Sequence, residues 1–375
     1  MSGLKVAILV PPEDPAAPAD QADTFVQARE INQCLTMLGN AALTMTYGAD
    51  TSSVARSLRD ERPDLVVNLV EDLPEGPDQI YRVTALLDRL GLRYTGAPTA
   101  ALRALGDKRA MKGRLRAGGM PVAPDLDDQF ESEKHSAKAP SPYLSLQGRG
   151  GGVAHLEEHR TSSLGVKAGA LRRVRGPSGP APSDDSRQLY IVKSAVEHAS
   201  IGIGADSVVS GRAAAEALID RRRRERGGPW FAEAFIDGRE FNVAVLEGAA
   251  GPQALPVAEI VFLDHGDRPK VLGYEEKWAG DSLAYANTPR CFPADPADKA
   301  LYAELRRLAL DGWRLFDLRG YARVDFRVDQ WGRPYILEVN ANPCLAADAG
   351  FCAAARQAGM TQTDVVARLI EAALA

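Results

Sequence analysis

The sequence predicts an α/β chain in which an N-terminal parallel-sheet domain is followed by a two-part α+β region ending on a β-hairpin. Three observations predict it. Residues 1–96 alternate short apolar runs with amphipathic stretches, which is the pattern of strand and covering helix in turn. Residues 189–278 carry strand-like segments and loops around a single long helical stretch. Residues 321–345, YARVDFRVDQWGRPYILEVNANPCL, read as two alternating strands about the polar, glycine-bearing turn DQWGR.

A chain of 375 residues is long enough for two or three domains with a sizeable core. Three parts are expected, 1–96, 97–230 and 231–375, with a flexible insertion at 126–188 inside the second. A net charge of −5 gives no basic footprint for nucleic acid. Cys34, Cys291, Cys344 and Cys352 are scattered, without metal-type spacing or a disulfide framework, which fits the reducing cytoplasm. MSGLKVAILV leads straight into a strand rather than showing a signal-peptide pattern, and no apolar run is long enough to span a membrane.

In order, Leu4–Val10 is a nearly all-apolar run, as a buried parallel strand is. Residues 20–38 have helical spacing through Phe25, Val26, Ile31, Leu35 and Leu38, closed by Gly39. Ala41–Tyr47 reads as strand, 51–61 as helix, Asp64–Val70 as strand and 78–90 as helix. Glu13, Asp14, Asn68 and Glu71 fall at the carboxyl ends of strands, where ligands approach such sheets, though each alone reads first as a loop or capping residue. The first strand is not followed by G-x-G-x-x-G, which argues against a dinucleotide site.

Residues 98–118 predict one helix containing Asp107 and Lys108. Residues 126–188 are rich in Ser, Gly and Pro and lose periodicity, so they read as a long insertion. Its His155 and His159 have i,i+4 spacing but no third ligand, so a structural or solvent role is expected. Strand returns at Leu189 with Lys193 near its end, and Glu197–Gly204 is a small-residue loop whose N–H groups could wrap phosphates. It is not a G-x-x-x-x-G-K-[ST] loop. Residues 210–226 form a helix ending in RRRRER, a basic run that complements the helix dipole, with anion binding as the second reading. EAFIDGRE places Glu233, Phe235, a turn and Glu240 where a strand linker could meet a base edge and a carboxylate could meet ribose hydroxyls. VAEIVF is strand, YEEKW carries Lys277, and 295–317 is a long amphipathic helix.

The hairpin carries the chemistry. A turn centred between Trp331 and Gly332 sets Asp325 opposite Glu338 and Arg323 opposite Asn340. Side chains two apart share a face. Arg323, Asp325, Glu338 and Asn340 therefore project from one side, and Val324, Phe326, Val328, Tyr335, Leu337 and Val339 form a core face. Facing carboxylates repel unless a cation lies between them, and an all-oxygen set suits Mg²⁺ shared with phosphates.

Lys108, Lys193 with its glycine loop, EAFIDGRE, YEEKW, RVDF and EVNANP occur in an order that resembles the ATP-grasp superfamily, and within it the D-alanine–D-alanine ligases. The resemblance covers the chain apart from the insertion. It implies a two-part ATP-grasp fold that sandwiches ATP, with Mg²⁺ (or Mn²⁺), acting on small amino acid or peptide-like substrates; a homodimer is an assembly it allows. By matched position, Lys108 and Lys193 would contact ATP phosphates, and Glu197–Gly204, with Ser200 and Gly202, would form the phosphate loop. Glu233 and the backbone near Ile236 would hold adenine and Glu240 the ribose. Lys277 would touch phosphate; Asp325, Glu338 and Asn340 would bind the metal; Arg323 would stabilise a tetrahedral intermediate. The implied reaction is ATP-dependent joining of a carboxylate to an amine through an acylphosphate. A nucleotide-binding or regulatory protein that kept the fold without turnover is the alternative.

The acceptor-binding parts depart from the family. Cys344 stands in a glycine position, PCLAADAGF replaces the Met-Thr run and serine, His198–Ala199–Ser200 replaces Gly-Ser-Ser, and LVEDLPEG lacks the usual His-Gly step. D-alanine is therefore expected to be a poor second substrate. Asp348 would either meet a positive or neutral polar group of the acceptor or cap a helix starting at Ala349. Cys344, with small apolar neighbours and no nearby histidine in sequence, reads as a packed thiol.

Overall fold

Three sheets carry the chain in this computed structural model, which describes residues 3–13, 19–127, 187–198, 200–264, 266, 268–278, 282–293 and 295–375. The first is parallel, in the order β2-β1-β3, from β1 (Lys5–Val10), β2 (Ala41–Thr46) and β3 (Leu65–Asn68). Helices α1 (Ala19–Met37), α2 (Thr51–Glu61) and α3 (Tyr81–Leu90) follow its strands. Asp50 caps α2 by accepting from the N–H groups of Ser52 and Ser53 at 3.0 and 3.2 Å. The buried stripe of α1 differs from the expected one: Val26 and Leu38 are exposed, while Thr24, Gln27, Ala28, Ile31, Cys34 and Leu35 face inward. Gln27 belongs to that stripe because it accepts from the Leu345 N–H of a segment near the far end of the chain.

The expected single helix over 98–118 is two helices. α4 (Thr99–Leu105) stops at Gly106, and α5 (Lys108–Ala117) restarts with Asp107 as its N-cap. Asp107 Oδ1 accepts from the N–H groups of Arg109 and Ala110, which puts Lys108 on the first turn. The second sheet is β5-β4-β6, from β4 (Leu189–Ser194), β5 (Val208–Ser210) and β6 (Trp230–Ala234), covered by α6 (Arg212–Arg226). Leu126, assigned from sequence to the insertion, is buried with Tyr190, Val192, Leu218 and Trp230, and its N–H donates to Ala232. Gln188 likewise accepts from Gly211. Residues 126 and 188 thus belong to the folded part; the remainder of the insertion, His155 and His159 with it, lies outside the described residues apart from Asp127 and Arg187. Asp14 lies outside them too.

The third sheet has the path β10-β9-β7-β11-β12, with β8 added to β7. Its strands are β7 (Gly238–Gly248), β8 (Gly251–Ala254), β9 (Ala258–Ile260), β10 (Arg290–Cys291), β11 (Tyr321–Asp329) and β12 (Pro334–Asn340). α8 (Lys299–Leu315) packs on it, after the short α7 (Tyr274–Trp278). Phe241, Val243, Val324, Phe326 and Ile336 are buried with Leu305, Leu308 and Trp313 of α8. Each such side chain contributes roughly 1.5–3 kcal/mol of burial, which holds the hairpin rigid from behind. α9 (Gly350–Gln357) and α10 (Gln362–Leu374) close the chain against β1 and α1, in a core that also takes Leu246 and Tyr321.

The hairpin has the expected pairs Arg323↔Asn340 and Asp325↔Glu338, then a bulge, after which Phe326 pairs with Ile336. The extra residue inverts the alternation on β12. Tyr335 and Leu337, expected on the core face, are not in the core; Ile336 takes that place, fully buried. The inversion coincides with a second partner for this edge strand, since the Ile336 N–H donates to the Pro121 carbonyl at 2.8 Å. Asp329 shapes the turn by accepting from the N–H groups of Trp331 and Arg333, both at 2.9 Å. No helix among the described residues is long and apolar enough to cross a membrane.

Candidate active site

A cleft lies between the second and third sheets. From the small sheet and α5 it is lined by Lys108, Lys112, Lys193, Ser200 and Glu233; from the large sheet and α7 by Glu240, Lys277, Asp325, Arg327 and Glu338. Ile236 and Phe235, in the linker between β6 and β7, close one side, and Leu337 faces in because of the bulge. Most of the sequence-predicted residues are thus brought together. Arg323 reaches this group through Asp325, whereas Gly202 lines a different cavity.

Most of the charged groups already have a partner. Asp325 accepts a two-pronged contact from Arg323, Nε to Oδ1 at 2.7 Å and Nη2 to Oδ2 at 2.9 Å. Asn242, opposite Asp325 on β7, adds Nδ2 to Oδ1 at 2.7 Å. Glu338 has Lys108 Nζ at 3.6 Å and His198 Nδ1 at 3.1 Å, both on Oε1. Burial alone would raise the Glu338 carboxyl, but Lys108 and His198 hold it well below the usual carboxylate range. Lys108 also donates to the Glu197 carbonyl, which ties the first turn of α5 to the loop. Lys277 is lowered, first by burial and then by the charge of Arg323.

Deeper in, Glu233 sits between two lysines. Lys112 donates to its Oε2 and Lys193 Nζ to its Oε1 at 2.7 Å. Lys112 is 0% exposed and Glu233 1%. Burial raises a carboxyl, yet the two positive charges outweigh it and keep Glu233 below its ordinary value. Glu240 is likewise paired, with Arg327 Nη2 at 2.9 Å, and that guanidinium lies 5.8 Å from the ring centre of Phe235. The Ser200 hydroxyl donates to the Leu272 carbonyl at 2.9 Å, in a loop where Ser200 has φ +62° and Gly202 φ +73°.

The donor set fits a hard divalent cation. Asp325 and Glu338 are direct cross-strand partners, and Asn340 Oδ1, which accepts from the Asn342 N–H at 2.9 Å, keeps a second lone pair. Among the described residues no group of three or more His, Cys, Asp or Glu is placed to hold a metal, so a hairpin site would need the Asn340 amide beside the two carboxylates.

Lys112, Arg327, Asn242 and the His198–Glu338 contact were not found from sequence. Lys112 lies one helical turn beyond Lys108, and Arg327 two residues beyond Asp325 on the same strand face, so both signals were present. The acceptor end also differs from expectation. α9 starts at Gly350, its N-cap is Ala349 and no side chain caps it, so Asp348 is not the cap; it is exposed. α1 braces the preceding segment residue by residue: Cys344 Sγ donates to Asp23 at 2.8 Å, Leu345 N–H to Gln27 and Ala347 N–H to Glu30, both at 2.8 Å. Burial, then Asp23, pushes the Cys344 thiol up, away from a nucleophile's range.

Comparison with known proteins gives a consistent picture. The family described as "D-ala D-ala ligase C-terminus" matches residues 188–371. The D-alanine–D-alanine ligase of Moorella thermoacetica is 26% identical over 372 residues, covering 99% of each chain. That of Rhizorhabdus wittichii is 29% identical over 335 residues, 86% of this chain and 83% of the relative. Among solved structures, the D-alanine–D-alanine ligase of Bacillus anthracis complexed with ATP aligns with a TM-score of 0.65 at 15% identity, over 99% of this chain and 98% of that one. D-alanyl-alanine synthetase A of Vibrio cholerae gives 0.65 at 14% identity over 100% of both. These two share the fold.

Proposed function

We infer that this chain, a D-alanine–D-alanine ligase-like member of the ATP-grasp superfamily and an ATP-dependent carbon–nitrogen ligase, activates a carboxylate as an acylphosphate and passes it to an amine. One observation carries the reading: Asp325 faces Glu338 across the hairpin, next to Arg323, in a cleft that gathers Lys108, Lys193 and Lys277.

A carboxylate is a poor acyl donor because its leaving group would be oxide. In the proposed first step a substrate carboxylate oxygen attacks the γ-phosphorus of ATP, the bond to the β-phosphate oxygen breaks and ADP leaves. In the second, the amine nitrogen attacks the acyl carbon, the C–N bond forms, inorganic phosphate departs and the nitrogen loses a proton. Lys108, Lys193 and Lys277 bind the phosphates and neutralise charge as it moves. Glu233 and the Ile236 backbone meet the base and Glu240 the ribose, while the apolar side of Leu337 helps to exclude water that would hydrolyse the acylphosphate. Asp325, Glu338 and Asn340 would hold Mg²⁺, which supplies Lewis-acid charge at the phosphoryl oxygens when bound. Arg323, fixed in direction by Asp325, offers its free N–H groups to the oxyanion that develops during amine attack.

The substrates are amino acids or short peptides, and the altered segment 344–348 disfavours D-alanine as acceptor. The test is a screen of ATP turnover with D- and L-amino acids and dipeptides, singly and in pairs, with product detection by mass spectrometry. ADP release with a new amide mass supports the reading. ADP release without any condensed product, across all pairs, overturns it.

A further inference from the structure

The loop that borders the cleft also borders a second cavity, of about 470 Å³, which opens between residues 201–206 and helix α6. Ile203 is the one lining residue the two share. Its polar end is Arg222 and, one helical turn on, Arg226, with Asp206 as the single carboxylate among the lining residues. Its apolar wall is Ile201, Ile203 and Tyr274.

Arg222 is the informative residue. Its side chain is only 8% exposed, although it belongs to the basic run RRRRER that would ordinarily cover a solvated helix end. Nη2 is spent on Asp206 at 2.5 Å, and the guanidinium lies 5.9 Å from the ring centre of Trp230. Its Nε–H is buried with no hydrogen-bond partner among the described residues. The guanidinium fork suits a planar or tetrahedral anion, and Arg226 at i+4 adds a second positive charge on the same helix face. One carboxylate against two guanidiniums leaves a net positive site. A bare inorganic anion would leave most of the volume and the whole apolar wall uncovered.

We propose that this cavity is a second ligand site, separate from the nucleotide cleft, for a small organic anion with an aromatic or branched body. The anionic end, a carboxylate or a phosphate, pairs with the guanidiniums of Arg222 and Arg226, both of which line the cavity. The body lies against Ile201 and Tyr274. The site touches the loop mechanically as well. A β-carbon on Gly202 would fall 2.7 Å from Trp230 Cη2, so the loop rests on the same indole that Arg222 stacks over. A ligand on Arg222 therefore bears on the floor of the phosphate loop.

The full chain is titrated calorimetrically with phenyl phosphate and with benzoate, and with benzyl alcohol as the neutral counterpart. Wild type binds at least one of the anions and not the alcohol. Arg226→Ala, an exposed position whose loss leaves the fold intact, weakens that binding at least tenfold, and Arg222→Leu, checked for folding by circular dichroism, does the same. Lys108→Met, on the cleft side, binds as wild type does. Absence of binding of both anions to wild type overturns the proposal. So does binding that survives Arg226→Ala but is lost in Lys108→Met, which would put the anion in the nucleotide cleft.

Discussion

Replacing Glu233 by glutamine tests the buried triad that underlies the cleft. The substitution keeps size and shape but leaves Lys112 and Lys193 facing each other without a counter-charge, at positions 0% and 10% exposed. An uncompensated buried charge costs about 3–5 kcal/mol. Lys112→Met is milder, because Glu233 keeps Lys193 at 2.7 Å; the loss is nearer that of one charged hydrogen bond, about 1.5–3 kcal/mol. The two changes share a contact, so they are not additive. The double variant strands a single lysine instead of two and is expected to be more stable than Glu233→Gln alone, with a coupling of about 1–3 kcal/mol. Urea unfolding followed by tryptophan fluorescence and circular dichroism measures all four members of the cycle. The pH dependence has a definite sign. Glu233 is held below its ordinary value of 4.5 in the fold, so its contribution is fully present above that pH and is lost as pH falls through the lower, folded value. The gap between wild type and Glu233→Gln should therefore narrow in acid. A Glu233→Gln protein as stable as wild type near neutrality, or a double variant less stable than both singles, would refute the charge-compensation argument.

Three further outcomes are expected. Glu338→Gln should reduce turnover at least about a hundredfold while leaving the far-ultraviolet spectrum unchanged, since the hairpin is held by its apolar face and not by this carboxylate; full activity would remove Glu338 from the metal set. Gly238→Ala should destabilise by about 1–3 kcal/mol or more, because the added carbon would lie 2.0 Å from the Val328 carbonyl oxygen and force β7 from β11; an unchanged melting temperature would count against this close pairing. Iodoacetamide at about pH 8 should leave Cys344 and Cys352 unmodified in the folded protein, since burial drives both thiols up, Cys352 to about 12; peptide mapping that finds either alkylated as fast as in denaturant would contradict the packing.

The hairpin was legible because two physical signals overlapped: strict alternation fixed which residues share a face, and a polar turn fixed where the pairing centres. That was enough to place Asp325 opposite Glu338, and Arg323 opposite Asn340. It was not enough to see the bulge, which coincides with a contact to Pro121, more than two hundred residues away in sequence. Asp107 shows the opposite case. An N-cap aspartate ahead of a helical run was readable, and the break at Gly106 was overlooked because apolar spacing continues across it. On α1 the period was read from five apolar residues, of which Ile31 and Leu35 are buried but Val26 and Leu38 are exposed, since the side facing the 344–347 segment is polar and carries no hydrophobic signal.

What no single-strand pattern could show is how far the charges of the cleft are paired with one another. Arg323 is matched to Asp325, Lys108 and His198 to Glu338, Lys112 and Lys193 to Glu233, and Arg327 to Glu240. Buried charges demand partners, and here the cleft supplies most of them from its own side chains. The pairing also explains why two lysines serve one glutamate. Lys193, 10% exposed, can be drawn toward a phosphate, while Lys112, fully buried, cannot follow and remains as the counter-charge that keeps Glu233 ionised. Glu338 is arranged on the same plan, with Lys108 and His198 coming from α5 and the loop after β4. Ligand binding on this plan exchanges partners, protein for phosphate and metal, instead of stripping water from bare charges. On the proposed function, the free-energy difference between the free and the liganded cleft would be a small difference between similar pairings.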